Sequence, residues 1–305
     1  MKKLLITGAR GFIGRHCLQL LLERKDFEIH AVSRKERKKD WLDVHWHKAD
    51  LLDSRQVPQL LAKVQPSHLL HFAWYAEPGK FWNSIENFRW VRASLSLLQA
   101  FSVYGGKRVV VAGSCSEYAW ENGYCSEEST PLSPSTPYGI CKHSLQMMMA
   151  SFSEQTGMSS AWGRVFFLYG PHEHPNRLVS SVILSLLKDS PANCSHGKQI
   201  RDYLYVQDVA EAFLALLQSE VQGPLNIASG RPIAIKEVII KIAEKLNRKD
   251  LIRLGALSAS PDEPDLLVGD IGRLSKEVGW RPKYSIDQGL TKTISWWKSR
   301  LNDTQ

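Results

Sequence analysis

Three observations predict that this chain folds as an α/β protein around a doubly wound parallel sheet. Short apolar segments rich in β-branched residues alternate with amphipathic segments through the first half of the chain, as expected of βαβ units. The first apolar segment, residues 3–7, runs into a glycine-rich turn, and a helical pattern begins directly after it. The chain has 305 residues, 43% of them hydrophobic, so it can bury a core in one large domain or two smaller ones.

The order of the elements follows from the length and period of each pattern. We expect strands at residues 3–7, 27–34, 44–51, 67–73, 107–114, 161–171, 201–206 and 223–229. Helices are expected at residues 12–24, 57–64, 87–101 and 208–218, and in the segment that contains Tyr138. The larger domain should comprise residues 1–170 and 201–230. Residues 171–200 and 231–305 should form a smaller, interleaved C-terminal lobe over the carboxyl ends of the strands, where α/β sheets bind ligands.

Composition narrows the class of protein further. No apolar run approaches the length of a membrane span, and the N-terminal apolar run reaches Gly8 and Arg10 too soon for a signal peptide. The five cysteines are scattered without a CxxC pair, which predicts no metal site, no disulfide framework and a cytoplasmic location. The net charge of +8 is not arranged as a basic stripe with interleaved aromatics, so we expect no nucleic-acid partner.

The turn "TGARGFIG" places glycines at Gly8, Gly11 and Gly14, between a predicted strand and a predicted helix. Glycine tolerates the tight turn and lets backbone N–H groups approach a pyrophosphate at the helix N-terminus. The turn therefore predicts a dinucleotide site that also includes Arg10, Phe12 and Ile13. A plain strand-to-helix turn is the alternative, because glycine patterns alone are weakly specific.

The end of the second strand indicates which dinucleotide is bound. A carboxylate there would bind the ribose of NAD, but the sequence reads Ser33, Arg34 and Lys35. Arg34 can grip a 2′-phosphate bidentately, so we expect NADP(H) in preference to NAD(H). Glu36 complicates this interpretation, and a solvated basic loop remains the alternative.

The stretch "TPYGICK" places Tyr138 and Lys142 four residues apart, on one face of a helix that Thr136 or Ser135 can cap. Lowering a tyrosine pKa from ~10 to ~7 requires about 4 kcal/mol. One lysine charge ~5 Å away supplies about 3 kcal/mol at an effective dielectric of ~20. Ser114, at the end of a predicted strand, completes a candidate catalytic group, since its hydroxyl can donate to a substrate carbonyl. Ser116 is its nearest competitor.

The chain resembles the extended short-chain dehydrogenase/reductase family of nucleotide-sugar epimerases, dehydratases and reductases over nearly its whole length. The resemblance is carried by "TGARGFIG", "LLHFAW", "GSCSEY", "YGICK", "GRVFFLYGP", "RDYLYVQDVAEA" and "GWRP". It implies a Rossmann sheet, a dinucleotide lined by Asp50, Leu51, Phe72 and Ala73, and a ribose held by Lys142. It further implies a proton exchanged by Tyr138. Arg201 would then reach the diphosphate of a nucleotide-diphosphate-sugar substrate.

Departures from the family pattern narrow the reaction. Dehydratases carry an Asp-Glu pair where this chain has Cys115 and Ser116, and Glu117 is displaced by one position, which argues against dehydration. Phe167 replaces an asparagine that touches the substrate in relatives, and residues 260–262 replace an arginine phosphate contact. We therefore expect Arg177 as well as Arg201 to contact the diphosphate.

NADPH-dependent reduction of a 4-keto-6-deoxyhexose on a nucleotide carrier is the leading hypothesis. An epimerase that retains NAD(P) is the alternative, and a non-catalytic dinucleotide- or RNA-binding relative is a weaker one. Cys115, His172 and His174 could shuttle a proton at a neighbouring carbon, although a buried thiol and surface histidines are the simpler interpretation. The segments 87–101 and 136–152 commonly form a four-helix dimer interface in similar proteins, which predicts a homodimer.

Overall fold

The computed structural model describes residues 1–35, 41, 43–259 and 263–302. Glu36, which complicates the choice of cofactor, and residues 260–262, which replace an arginine phosphate contact of relatives, lie outside the described residues. The strands are, in chain order, β1 Lys2–Thr7, β2 Phe27–Ser33, β3 Val44–Lys48, β4 His68–His71, β5 Arg108–Ser114, β6 Tyr124–Cys125, β7 Ser159–Val165, β8 Phe167–Tyr169, β9 Ala192–Cys194, β10 Ile200–Tyr205, β11 Gly223–Ile227, β12 Pro232–Ala234, β13 Ile252–Leu254 and β14 Leu266–Gly269. The helices are α1 Phe12–Arg24, α2 Gln56–Val64, α3 Glu86–Val103, α4 Pro137–Thr156, α5 Leu178–Leu187, α6 Val206–Gln218, α7 Ile235–Leu246, α8 Gly272–Lys276 and α9 Ile286–Asn302.

The main sheet has seven strands in the order β3-β2-β1-β4-β5-β7-β11, and every neighbouring pair is parallel. The chain reverses direction across the sheet between β1 and β4, which is the switch point where doubly wound sheets bind ligands. The predicted fold class is confirmed. The carboxyl ends of β1, β4 and β5 therefore meet at one edge of the sheet, and they carry Gly8, Phe72 and Ser114.

Helices cover both faces of this sheet, so its strands are apolar on both sides, as parallel strands require. On one face, α1 packs against α6, and the core includes Leu18, Phe213 and Leu217. On the other face lie α2, α3 and α4, with Leu61, Phe101 and Leu145 at the interface. The edge of the sheet that carries Gly8, Phe72 and Ser114 is consequently stabilised by a hydrophobic core on each face.

A difference from the sequence prediction concerns residues 201–206, which were expected to continue the main sheet. They lie in β10, which belongs to a second sheet ordered β12-β10-β14-β6, with β8 also paired to β10. The reason is that β11 occupies the place beside β7 in the main sheet. The segment after β7 then turns away as β8 and pairs with β10.

The remaining helices build a third core around α5, α7 and α9, with Ile183, Ile239 and Leu290 fully buried. A short pair of parallel strands, β9 and β13, lies beside it. Leu274 and Trp280, although far along the chain, instead join the core on the α1 and α6 face. Within the described part of the chain, no helix combines the length and the apolar character that crossing a membrane requires.

Candidate active site

The glycine turn between β1 and α1 is shaped by close backbone approach. Gly8 has φ +65°, and a Cβ at this position would lie 2.8 Å from the backbone of Phe72 and of Ala73. A Cβ on Gly14 would lie 2.2 Å from the carbonyl oxygen of Gly8. Only glycine satisfies both positions, because one needs a left-handed backbone and the other leaves no room. Of the residues that the structure describes, only the Gly8 carbonyl lies near a Cβ added at Gly11, so no described residue covers the outer side of the turn.

The N-terminus of α1, whose first residues are Phe12 and Ile13, lies directly behind this turn. Among the residues that the structure describes, no side chain caps it, and its first turn carries no acidic residue. The first N–H groups of a helix need acceptors, and their partial positive charge favours an anion. An uncapped N-terminus behind an open glycine turn fits the pyrophosphate of a nicotinamide dinucleotide. Arg10 is exposed on the same turn.

The end of β2 lies one strand away from the turn. Ser33 is the last residue of β2, and its hydroxyl accepts the N–H of Lys35 at 3.3 Å. The side chain of Arg34 is exposed. Across the end of β3, Asp50 accepts the N–H of Leu52 at 3.0 Å, and Leu51 is buried. The ends of β2 and β3 thus bring Ser33, Arg34, Asp50 and Leu51 to the same edge of the sheet as the glycine turn.

The end of β4 lies between the glycine turn and the candidate catalytic residues. The hydroxyl of Thr7 accepts the N–H of Ala73 at 3.3 Å and pairs with Nδ1 of His71 at 2.7 Å. Nε2 of His71 pairs with Ser94 of α3 at 2.9 Å. Burial lowers the pKa of His71 to about 3, so it is neutral and acts as a rigid spacer. This series of hydrogen bonds fixes the positions of Ala73 and Phe72.

Ser114 ends β5 and is buried. Its Oγ accepts the N–H of Ser116 at 3.2 Å and the hydroxyl of Ser116 at 2.9 Å. Both of these bonds use Ser114 as an acceptor, so its own O–H is free to donate. The arrangement favours Ser114 over Ser116 as the residue that donates to a substrate oxygen.

The helix α4 begins as the sequence predicts. Thr136 caps it by accepting the N–H of Gly139 at 3.2 Å, and Pro137 occupies its first turn. Tyr138 is anchored by its own N–H, which donates to the carbonyl of Trp82 at 3.0 Å. One turn on, Lys142 is buried, and its Nζ donates to the carbonyl of Ala112 at 2.9 Å. The Nζ lies 5.9 Å from the centre of the Tyr138 ring, so the two side chains share one face.

Electrostatics at this pair are governed by burial. Burial raises the pKa of the Tyr138 phenol, and the Ser114 hydroxyl acts in the opposite direction. Burial also lowers the pKa of Lys142 to about 7. From the charge of Lys142, the sequence predicts a lowered tyrosine pKa. Here desolvation is the larger effect, and it favours the protonated form of the phenol.

Aromatic side chains surround the pair. The Nζ of Lys142 lies 3.8 Å from the ring centre of Trp74, a cation–π contact that stabilises the ammonium. Phe81 and Trp82 meet the Tyr138 ring edge to face, with centroids 4.8 Å and 5.6 Å away. Trp74, Trp82 and Trp90 are half-buried, and the first two contact the candidate catalytic pair. Core packing alone therefore does not describe Trp74 and Trp82.

Sequence reasoning missed a buried network behind Ser114. The Glu117 carboxylate accepts the backbone N–H of Ser114 and Nε1 of Trp162, both at 2.8 Å. It also pairs with Nε of Arg164 at 2.8 Å, and both side chains have zero exposure. The available signal was a carboxylate and an arginine inside otherwise apolar strand-end segments, since buried charges occur in pairs.

The predicted substrate-binding arginines occupy different settings. Arg177 is exposed at the start of α5, with its guanidinium 5.4 Å from the ring centre of Phe81, and its charge lowers the pKa of Tyr138. Arg201 is 2% exposed and donates to the carbonyl of Pro264 at 2.7 Å. Its other terminal nitrogen lies 3.6 Å from Glu263. Arg177 thus lies on the surface beside Phe81, which packs against Tyr138, whereas Arg201 is buried and its guanidinium is held by Pro264 and Glu263.

The residues considered as proton shuttles are separated in the fold. Cys115 is buried, and burial raises the pKa of its thiol. His172 pairs with Arg15 of α1 and lies 4.5 Å, centroid to centroid, from Trp296 of α9. His174 is exposed and accepts the N–H of Asn176 at 3.2 Å. These contacts agree with the simpler interpretation of a buried thiol and surface histidines.

The sheet, the uncapped glycine turn and the Ser114, Tyr138 and Lys142 side chains together define a class of protein. It is the extended short-chain dehydrogenase/reductase type, enzymes that use a nicotinamide dinucleotide. The chain belongs to the NAD dependent epimerase/dehydratase family, whose family model matches residues 4–228.

Similar proteins agree with this assignment. The UDP-glucuronate 4-epimerase of Thermodesulfobacterium geofontis (strain OPF15) is 26% identical, over 97% of this chain and 96% of its own length. A UDP-N-acetylglucosamine 4-epimerase from Methanobrevibacter ruminantium M1, solved with UDP-N-acetylmuramic acid, superimposes with a TM-score of 0.88 at 25% identity, covering 98% of this chain and 99% of that one. The UDP-glucose 4-epimerase of Thermus thermophilus, solved with NAD, gives a TM-score of 0.85 at 25% identity, with 97% and 99% coverage.

Proposed function

We propose that the protein is an NADPH-dependent reductase of a nucleotide-activated 4-keto-6-deoxyhexose. The observation that carries this proposal is the Ser114 hydroxyl beside the Tyr138 phenol, with Lys142 one helix turn away on the same face. Burial raises the pKa of this phenol and so favours its protonated form. Reduction of a ketone needs a proton donor at the carbonyl oxygen, and a protonated phenol supplies one. When bound, the nicotinamide would supply the hydride.

Each side chain of the candidate site has its own role in this reaction. Ser114 donates a hydrogen bond to the substrate carbonyl and so stabilises the negative charge that develops on its oxygen. Tyr138 transfers its proton to that oxygen. Lys142 holds the nicotinamide ribose and presents a positive charge that stabilises the phenolate left behind. Phe81 and Trp82 pack against the phenol and exclude water.

The state of Glu117 supports reduction over dehydration. A dehydratase needs a carboxylate that faces the substrate and exchanges protons with it. The Glu117 carboxylate is enclosed by Trp162 and Arg164 instead, with zero exposure. Dehydration is therefore not part of this proposal.

For the cofactor, we propose NADP(H) over NAD(H), because β2 ends in Ser33 and an exposed Arg34. We propose that the diphosphate is bound by Arg177 and Arg201. The exposed position of Arg177 beside Phe81, which packs against Tyr138, supports this role, and Arg201 would have to exchange Glu263 for the ligand.

The test is a reductase assay with purified protein. A dTDP- or UDP-linked 4-keto-6-deoxyhexose and NADPH are mixed, and the loss of reduced nicotinamide absorbance is followed together with the product. We expect one sugar reduced for each NADPH oxidised. No consumption of NADPH with either carrier would exclude the proposal.

A 4-epimerase that retains its nicotinamide nucleotide is the second candidate, favoured by the UDP-sugar 4-epimerases among the similar proteins. It predicts a dinucleotide released only on denaturation. It also predicts interconversion of UDP-glucuronate or UDP-glucose with its 4-epimer and no net oxidation of NADPH. Nucleotide release and chromatography of the sugar products separate the two candidates.

We also propose that the protein is a homodimer through α3 and α4. These two helices pack together, and their outer faces expose Phe88, Ile140, Met147 and Met148. Met149 is buried in the core and takes no part. Replacing Met147 and Met148 by glutamate should give a monomer in sedimentation equilibrium, whereas Ile240→Glu on the exposed side of α7 should not. A wild-type protein that sediments as a monomer would contradict this proposal.

A further inference from the structure

A buried carboxylate lies directly behind the candidate catalytic residues. Glu117 belongs to the 3₁₀ turn Cys115–Glu117, which follows β5, and its side chain folds back on the strand end. One oxygen accepts the backbone N–H of Ser114 at 2.8 Å. The other accepts Nε of Arg164 at 2.8 Å, and Nε1 of Trp162 reaches both oxygens at 2.8 Å and 3.1 Å. The carboxylate is therefore fixed by donors from two strands and cannot reorient.

Gly113 makes this arrangement possible. A Cβ at this position would lie 2.0 Å from Nε1 of Trp162 and 2.7 Å from Oε1 of Glu117. Because Gly113 lacks a side chain, the indole of Trp162 and the carboxylate of Glu117 can pack against the last residues of β5. The next residue along the strand is Ser114, so the network is in contact with the site.

Trp162 lies between this carboxylate and the lysine in the chain of contacts. The Nζ of Lys142 lies 5.9 Å from the Trp162 ring centre, and Trp162 in turn holds Glu117. Burial lowers the pKa of Lys142 to about 7, and the charge of Glu117 acts in the opposite direction. Near the ammonium, His71 of β4 is neutral. From α4 itself the Tyr138 phenol faces the ammonium, and Arg164 of β7 faces Glu117.

We propose that Glu117 is a positioning residue of this site: its fixed carboxylate holds the backbone of Ser114 in place and favours the charged form of Lys142. The inference rests on the proposed chemistry of Ser114, Tyr138 and Lys142. In a reduction the ammonium is needed at the moment when Tyr138 gives up its proton, because it stabilises the phenolate. A desolvated lysine without a nearby anion would be largely neutral at the pH where the enzyme works.

The main test replaces the charged pair by neutral side chains of similar size, in Glu117→Gln with Arg164→Met. Removing both partners avoids an unpaired buried charge. The glutamine can still accept the N–H of Ser114. The readout is the titration of Lys142 in protein labelled with ¹³C at lysine Cε, assigned with Lys142→Met. We expect its pKa to fall by up to about one unit, because the Glu117 charge that raises it is lost, while loss of the Arg164 cation acts in the opposite direction. Since the active form is the ammonium, which exists below that pKa, the alkaline limb of the rate profile should move to lower pH by the same amount.

A second variant, Trp162→Phe, keeps both charges and an aromatic ring but removes the indole N–H that holds Glu117. We expect the Lys142 pKa to fall in this variant too, by less than in the double variant. If the double variant does not fold, Trp162→Phe decides the question. The matched control is Glu173→Gln, because Glu173 is also a buried carboxylate but binds Ser180 of α5.

A Lys142 pKa that is unchanged in the folded variants, or that moves equally in Glu173→Gln, would overturn the proposal. The titration needs no substrate and no turnover. If the protein reduces no nucleotide sugar but the lysine titrates as expected, the proposed function fails and the role of Glu117 stands. If the protein reduces a nucleotide sugar but the pKa of Lys142 is unchanged in the variants, the proposed function stands and the role of Glu117 fails.

Discussion

The two halves of the candidate site, the glycine turn and the Ser114, Tyr138 and Lys142 group, are built in different ways. The turn is a local object: Gly8, Gly11 and Gly14 are close in sequence, and backbone sterics determine its shape. The catalytic group is assembled from the end of β5 and from α4, with Trp74 and Phe81 contributed by the connection between β4 and α3.

The two halves therefore depend on different physical requirements. The turn needs particular backbone angles and open space, so damage to it should appear in stability and in dinucleotide binding. The catalytic group needs charges and hydroxyls held at set positions in a desolvated environment, so damage to it should appear in rate and in pH dependence. Substitutions in each half can therefore test this separation.

Replacing Tyr138 by phenylalanine should have the largest effect on rate. It removes the proton donor while keeping the ring that packs against Phe81 and Trp82, so turnover should fall by about 10²–10⁴-fold. Binding of NADPH, followed by its fluorescence, should change by no more than a few-fold. Tyr124→Phe, an exposed tyrosine, is the control. Activity close to wild type in Tyr138→Phe would remove this residue from the mechanism.

Replacing Gly8 by alanine should damage the turn. The new Cβ meets backbone 2.8 Å away and the left-handed φ is strained, so the unfolding free energy should drop by about 2–4 kcal/mol and dinucleotide binding should be lost. Gly157→Ala is the matched control, because its φ is +71° and nothing lies within 4 Å of the added Cβ. It should cost only about 1 kcal/mol and leave binding intact. If Gly8→Ala and Gly157→Ala lose the same stability in thermal denaturation, backbone strain alone would account for the effect at Gly8.

Lys142→Met should reveal the cost of burying the ammonium. The pKa of Lys142 is lowered from 10.5 to about 7, so in the folded state the lysine holds fewer protons than in the unfolded state between those values. The wild-type protein should therefore gain stability relative to Lys142→Met as pH rises from 7 towards 10. The expected gain is about 2–4 kcal/mol. Urea denaturation of both proteins at pH 6 and pH 9 measures it, and a difference that does not vary with pH would contradict the shift.

Arg34→Ala should have the smallest effect, confined to cofactor choice. Loss of a bidentate phosphate contact should weaken NADPH binding by about tenfold, which is about 1.4 kcal/mol, and leave NADH binding nearly unchanged. Arg24→Ala, an exposed arginine at the end of α1, is the control. Should Arg34→Ala weaken both nucleotides equally, the proposed preference for NADP(H) would be wrong.

How far the sequence predicted the molecule depends on the range of the interactions involved. The main sheet and its helices were predictable because each βαβ unit is local and its hydrophobic period is clear, and the Thr136 cap was predictable because capping depends on neighbours in sequence. The place of residues 201–206 was not, since the choice between β10 and β11 as the neighbour of β7 is a long-range pairing. The same holds for Glu117, whose partners Trp162 and Arg164 come from another strand.

The fold class, the glycine turn and the pairing of Tyr138 with Lys142 on one helix face follow from the amino-acid sequence, because all three depend on short-range sterics and on hydrophobic periodicity. The electrostatics of that pair, in contrast, depend on the folded structure. Burial favours the protonated form of Tyr138, lowers the pKa of Lys142 and brings Trp74 and Glu117 to the site, because desolvation and charge pairing are set by side chains that meet only after the chain has folded.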